Sequence, residues 1–356
     1  MKTFTITFIL ITAFCLTSLA QTPKETAHEK GVQAVKLEDE GKFDEALKLL
    51  GEAQKLDPDN IVYPYETAYS YYSQEQYQKV VDALEKLKDR PDSFDRLYEL
   101  LGNSYDVLKQ SDKAIAIYEE GLKKFPNSGV LYLERGTMPL TRKDYNEAIK
   151  YFEKGIEVDP KFASNYYWAA KLYCGSEAPM WGMMYGEIFM NLERNSKRTA
   201  EISKLLFDTY KKNITFPAPD KISVTFNKQT IISIDDSKNI KMPYSMNYEM
   251  SLSLGVAGEK VIDLNSLDRI RQSFLKFYTE KGFDKDKPNV LFVYQNQITL
   301  ANNMEAYDHW LLMKGDDAAF DTWQAANKDK WDSFIKWYTA NPLTLDAEHR
   351  FHRNMF

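Results

Sequence analysis

Tyr98, Tyr132 and Tyr166 stand 34 residues apart, and other residues keep the same step. Gly102 recurs at Gly136, Ala114 at Ala148 and Pro126 at Pro160, while Ala46 and Pro58 lie two steps upstream of Ala114 and Pro126. A fixed period of roughly 20–50 residues means that one supersecondary unit is stacked on copies of itself, because a single copy cannot bury its apolar face alone. Four copies can be cut: Ala27–Asn60, Ile61–Phe94, Asp95–Ser128 and Gly129–Phe162. A fifth, degenerate copy begins at Ala163.

Each copy is expected to be two antiparallel helices. Ala34, Ala68, Gly102, Gly136 and Ala170 supply small side chains where the first helix comes closest to its neighbour. Ala46, Ala114 and Ala148 do the same on the second helix, and Leu50, Tyr118 and Phe152 fill the space one turn later. Pro58, Pro126 and Pro160 end the second helices, since proline cannot continue the hydrogen-bond ladder. Tyr98, Tyr132 and Tyr166 belong to this packing skeleton.

The pattern resembles the tetratricopeptide repeat family, most fully in copies one, three and four. Copy two departs, with Val80 in place of the alanine and Pro91 one position early. In copy five Gly182 holds the small position, Gly186 replaces the large residue and no closing proline follows. The stretch "APMWGMMYGEIFMNLER" still reads as helix, and two glycines four apart predict a close helix contact.

The resemblance implies an α-solenoid whose first helices line a concave surface that binds a protein or peptide. The exposed positions of that surface fall on Tyr65, Tyr69 and Tyr72 in copy two, and on Glu99, Asn103 and Asp106 in copy three. Copy four places Leu133 and Thr137 there, and copy five Tyr167 and Lys171. Tyrosine joins a large rigid contact area to a hydroxyl, which suits peptide recognition. Some relatives clamp a terminal carboxylate with Lys, Arg and Asn. Arg96 and Asn103 match that clamp, but Tyr65, Leu100 and Leu133 stand where its other members belong. An extended peptide held by aromatic contacts, or a folded partner, fits better.

The first twenty residues read as an export signal. Lys2 is the charged start, Phe4 to Leu16 is apolar, and Ser18-Leu19-Ala20 is a small-x-small cleavage site. The run is too short for a comfortable membrane span, and Phe14 before Cys15 is too large for a lipoprotein site. The protein is therefore expected in the periplasm or outside the cell, with no membrane insertion after cleavage. Loss of Lys2 takes the formal charge from −6 to −7, which disfavours nucleic acid as a partner. Of the two cysteines only Cys174 would remain, expected as a small buried hydrophobe. The pattern sets no oligomeric state.

Solenoid is expected over residues 21–215, closed by a capping helix after Ser196 with Ile202, Leu205, Leu206 and Tyr210 on its apolar stripe. An α+β domain of unassigned family is expected over 216–356. Ile222, Val224 and Phe226 alternate with polar residues, and Thr230–Ile234 follows as a second strand. Met246, Tyr248, Met250, Leu252 and Leu254 alternate over a longer expected strand, and Asn289 to Gln295 reads as a short buried one. Helices are expected from Ser266 to Lys281, from Leu300 to Lys314, and from Ala318 to Tyr338 with a break near Asn327.

Motifs for hydrolytic, nucleotide-binding or dithiol chemistry do not occur. His349 and His352, with Asp346 and Glu348 nearby, have metal-ligand atoms but lie in the last few residues. Asp316 and Asp317 follow Gly315 and read as helix caps, and Trp310, Trp323, Trp331 and Trp337 read as core. The sequence thus predicts an exported interaction scaffold, not an enzyme, with no cofactor and no metal. The alternative is an enzyme or ligand-binding module in 217–356 with the repeats as its targeting arm.

Overall fold

The computed structural model describes residues 22–218, 221–228, 243–286 and 288–356. The leader at residues 1–20 and the strand expected at Thr230–Ile234 lie outside the described residues. The chain divides into two compact units, one through Ser93 and one from Phe94 to Phe356.

The first unit holds four helices: α1 (Pro23–Asp39), α2 (Phe43–Leu56), α3 (Val62–Ser73) and α4 (Tyr77–Leu84). Thr22 and Glu25 form a capping box at the start of α1, with Pro23 at its first position. Ala27, Ala34, Ala46, Leu50, Ala53 and Tyr63 make the core of this unit. The helix α4 spans 8 residues, whereas α2 spans 14. The copy that departs at Val80 and Pro91 is the one with the truncated second helix, and the division between units follows it.

The second unit continues the pairs with α5 (Asp95–Val107), α6 (Ser111–Lys124), α7 (Gly129–Thr141), α8 (Tyr145–Val158), α9 (Ala163–Cys174) and α10 (Pro179–Leu192). The helix α11 (Lys197–Asn213) runs into the hairpin β1 (Ile214–Ala218) and β2 (Lys221–Val224). Then come α12 (Tyr244–Val256), α13 (Leu264–Glu280), α14 (Phe283–Asp286), α15 (Val290–Leu300) and α16 (Met304–Leu312). A 3-10 turn at Met313–Gly315 leads to α17 (Asp317–Ala326) and α18 (Lys328–Ala340).

The turn inside each of the first four pairs repeats one backbone device. Gly41, Glu75, Lys109 and Lys143, again 34 apart, have φ of +75°, +61°, +61° and +60°. The amide after each donates five residues back: Lys42 to Leu37, Gln76 to Tyr71, Gln110 to Tyr105 and Asp144 to Pro139, at 2.8–3.0 Å. This is the Schellman closure, which satisfies carbonyls that the helix end would orphan. The small positions act as expected. A methyl placed on Gly136 would stand 2.6 Å from Phe152 Cε1, and one on Gly182 would stand 2.5 Å from the Cys174 amide nitrogen. Gly186 faces Leu206 of α11 in the same way.

Two expected strands are helices. Met246 to Leu254 lies within α12, where Tyr244, Tyr248, Ser251, Leu252 and Gly255 are buried on a helical period while Leu254 is 40% exposed. The alternating pattern misled because, Tyr248 apart, its apolar members are Met and Leu with no β-branched residue before Val256, and those carry no strand preference. Asn289 caps α15 by accepting from the Leu291 amide at 2.9 Å, and the apolar run after it continues as helix to Leu300. Short apolar runs do not separate strand from buried helix by period alone. Among the described residues the sheet is the β1–β2 hairpin, antiparallel, with Ile214 opposite Val224. The helix expected from Leu300 to Lys314 starts at Met304, after Asn302 turns left-handed at φ +54°.

Ser196 caps α11 as expected, and Ile202, Leu206 and Tyr210 are buried. The helix presents Lys197, Glu201, Lys204, Asp208, Lys211 and Lys212 to solvent on one face, and its other sides are covered. It packs on α9 and α10, and also against α16 and the Met313–Gly315 turn, where the Lys314 amide donates to Ser203 Oγ at 3.0 Å. One apolar core therefore runs from Ala148 through α10 and α11 to Phe351.

Candidate functional site

In the first unit, α3 carries the three candidate tyrosines of copy two, Tyr65, Tyr69 and Tyr72. Tyr69 is 43% exposed. Tyr65 and Tyr72 are half-buried, and Tyr72 meets Tyr77 edge-on with ring centroids 5.2 Å apart. Val62 on the same helix and Val32 on α1 are exposed apolar residues. Glu66 of α3 is half-buried, and burial holds its carboxyl above the ordinary range.

In the second unit, packing of α5 on α7 gathers Glu99, Asp106 and Glu134 within electrostatic reach of one another. Burial, then the charge of Glu99, pushes the Glu134 carboxyl up to about 7, with Arg96 opposing. Burial also raises Glu99. The groups suited to an anionic partner are engaged within the chain. Arg96 Nη1 donates to Glu99 Oε2 at 2.8 Å, and Asn103 Oδ1 accepts from Tyr118 Oη at 2.5 Å. Lys171 Nζ donates to Glu201 Oε1 at 2.6 Å and to Tyr167 Oη at 3.1 Å.

Leu133 and Thr137 are half-buried on α7, and the Thr137 hydroxyl donates to the Glu134 carbonyl. Tyr167 is 7% exposed and its hydroxyl donates to Glu201 Oε2 at 2.5 Å, so it offers a ring edge rather than a face. Glu134 and Glu66 were not among the expected contact residues. Their signal was present in the period: they stand two repeats apart, one position after Leu133 and Tyr65.

The residues weighed for catalysis sit in structural roles. Burial pushes the Cys174 thiol up to about 12, so it is not a nucleophile at ordinary pH. His309 stacks on Trp323 with centroids 4.0 Å apart and its Nδ1 faces the Glu305 carbonyl at 2.8 Å. Asp316 Oδ1 accepts from the Ala319 amide at 3.0 Å as an N-cap, and Asp317 receives Lys314. His349 Nδ1 pairs with Asp346 at 3.0 Å, and no group of three metal-ligating residues occurs among the described residues.

A polar hub joins the repeats to the later helices, and sequence reasoning missed it. Glu187 is the lone charge on α10, whose residues from Pro179 to Asn191 are all buried. It accepts from Arg271 Nη1 at 2.9 Å and Nη2 at 2.8 Å, from Gln295 Nε2 at 2.7 Å and from Tyr307 Oη at 2.9 Å. Arg271 also reaches Tyr210 Oη at 3.1 Å and Asp308 Oδ1 at 2.5 Å. The space lined by Glu187, Tyr210, Tyr248, Arg271 and Gln295 is about 10 Å³, room for one water and for no substrate. A solitary charge in an apolar helix was the available clue.

The C-terminal segment straps across the other side of α10. Phe351 is fully buried against Tyr185 and Trp181, and Phe356 lies 4.3 Å from the Tyr244 ring. Arg353 Nε pairs with Glu153 Oε1 at 3.2 Å, which also accepts from Tyr173 and Tyr185.

Residues 98–128 and 131–162 each match the tetratricopeptide repeat family. Solved structures resemble part of the chain. TTC0263, a thermophilic TPR protein in Thermus thermophilus, is 15% identical over 51% of this chain and 98% of its own, with a TM-score of 0.43. Pseudomonas aeruginosa pilF is 16% identical over 54% of this chain and 86% of its own, with a TM-score of 0.46. YrrB, described as a TPR protein with an unusual peptide-binding site, is 20% identical over 48% of this chain and 89% of its own, with a TM-score of 0.34. No helix among the described residues is long and apolar enough to cross a membrane.

Proposed function

We propose that this chain, whose residues 98–162 are tetratricopeptide repeats, is an exported interaction scaffold that binds a protein or peptide through the first helices of its repeats. The observation that carries the reading is the character of those helix faces. They offer Tyr65, Tyr69 and Tyr72 in one unit, and in the other a set of carboxyls at Glu99, Asp106 and Glu134 whose nearby cation is already paired. Asn103, Leu133, Thr137, Tyr167 and Lys171 complete the proposed contact set as edge or positioning groups. Aromatic area and partly desolvated carboxyls suit a segment carrying apolar side chains and lysine or arginine. They suit an acidic tail poorly, since the Arg96 and Lys171 cations are committed to carboxylates within the chain.

The leader pattern at residues 1–20 supports placement in the periplasm or beyond the cell. No cofactor enters this reading. The test is capture by the purified chain of partners crosslinked in intact cells. The triple variant Tyr65→Ala, Tyr69→Ala, Tyr72→Ala should lose capture while its circular dichroism stays native. Undiminished capture by the folded variant would sink the proposal. Glu134→Lys should weaken capture further and reverse its salt dependence.

A further inference from the structure

The hub holds more acid than base in a closed space. The Arg271, Glu187 and Asp308 side chains are 6%, 5% and 0% exposed. One guanidinium thus faces two carboxyl groups. Glu187 is well supplied, with three donors on Oε1 and one on Oε2. Asp308 is not: Arg271 Nε serves Oδ1, and Oδ2 is buried with no donor. A buried carboxylate oxygen without a donor bears the full cost of lost hydration.

What faces Asp308 is another acid. Asp268 lies one turn before Arg271 on α13, within side-chain interaction range of Asp308, while its Oδ1 accepts from Gln272 Nε2 at 2.7 Å. Two neighbouring carboxyl groups repel when both are ionised, and a proton on one lets it donate to the other. Both Glu187 oxygens already accept from donors, whereas Asp308 Oδ2 has none and is the oxygen left to carry it.

We infer that Asp308 is a neutral carboxylic acid at physiological pH, that its Oδ2–H donates to Asp268, and that this proton latches α16 to α13 and, through Arg271, to the repeat helix α10. The remaining charges then balance: Arg271 cancels Glu187, and Asp268 keeps its charge nearer the surface. The other groups around the latch do not supply the missing positive charge. Tyr210 of α11 and Tyr248 of α12 are buried phenols, as are Tyr307 of α16 and Tyr338 of α18. Glu305 is acidic and pairs outward with Lys330. Burial holds His309 below its ordinary value. Burial is likewise the first cause that raises Asp308, with Arg271 opposing and Asp268 adding to it.

The sign follows from linkage. A folded state that binds a proton more tightly than the unfolded chain is favoured most below the ordinary carboxylate pKa, and loses that advantage as pH climbs toward the folded value. The latch is therefore closed in acid and neutral solution and loosens in alkali. This inference stands apart from partner binding and survives if that reading fails.

Asp308→Asn in the full chain tests it, because an amide keeps the shape and donates from Nδ2. The variant should melt no lower than wild type at about pH 8, and its melting temperature should fall less steeply between about pH 5 and 9. Infrared spectra at about pH 8, where groups raised only to about 7 are mostly ionised, should show a protonated-carboxyl stretch in wild type that Asp308→Asn diminishes. A variant that melts lower at about pH 8 than at about pH 5 relative to wild type, as loss of an ionised salt bridge would give, overturns the inference. So does an absent protonated-carboxyl stretch in wild type, which decides the matter whether or not the variant folds.

Discussion

Lys143 occupies a conformation that costs a side-chain-bearing residue about 1–2 kcal/mol, and it does so because Asp144 must donate back to Pro139. Glu75 and Lys109 bear the same cost, whereas Gly41 does not. Lys143→Gly should raise stability by ~0.5–1 kcal/mol, since relief of the left-handed strain exceeds the extra entropy glycine brings to the unfolded chain. Lys143→Val should do the reverse, because a β-branched side chain tolerates this region worst. Chemical denaturation midpoints of the two variants read the difference. Of these four turn residues only Gly41 is of a type that favours a left-handed backbone. The others are visible in the period but not in their chemistry, because nothing about a glutamate or lysine announces a left-handed backbone.

Among elements, what was legible depended on how many copies spelled it out. The spacing of Gly102, Gly136, Tyr118 and Phe152 placed the helix pairs, since each contact is written several times over. Where an element occurs once, period alone had to decide, and α12 and α15 were read as strands. The candidate faces fell between these cases. Tyr69 stands open as the repeat pattern implies, but the same pattern offered Tyr167, which α11 closes off by way of Glu201. The C-terminal strap was illegible because its contacts are long-range: Phe351 meets Tyr185 and Arg353 meets Glu153. Phe351→Ala should cost ~3–5 kcal/mol as a buried ring is lost from a fully enclosed site. Thermal melts should show the loss, with increased binding of a hydrophobic dye as the ring cluster around Trp181 opens.

For the whole molecule, the second unit behaves as one core rather than as a solenoid with an appended domain. The helix α10 serves as the second helix of copy five and as the hub onto which α13, α15, α16 and α18 converge through Glu187 and Asn191. Were residues 216–356 an independent domain, a fragment of residues 22–215 would melt as cooperatively as the full chain. The continuous core predicts instead that this fragment loses its cooperative transition beyond copy four, because α10 and the buried side of α11 are left facing water. Circular dichroism melts of the fragment and the full chain decide it. The same double role constrains how such a chain can lengthen. Repeat arrays grow by duplicating a unit between two like neighbours, and Gly129–Phe162 has like neighbours on both sides. A copy inserted after Leu192 would have to meet Arg271, Gln295 and Tyr307 with a face no other repeat possesses, so the array is open to growth from within and shut at its far end.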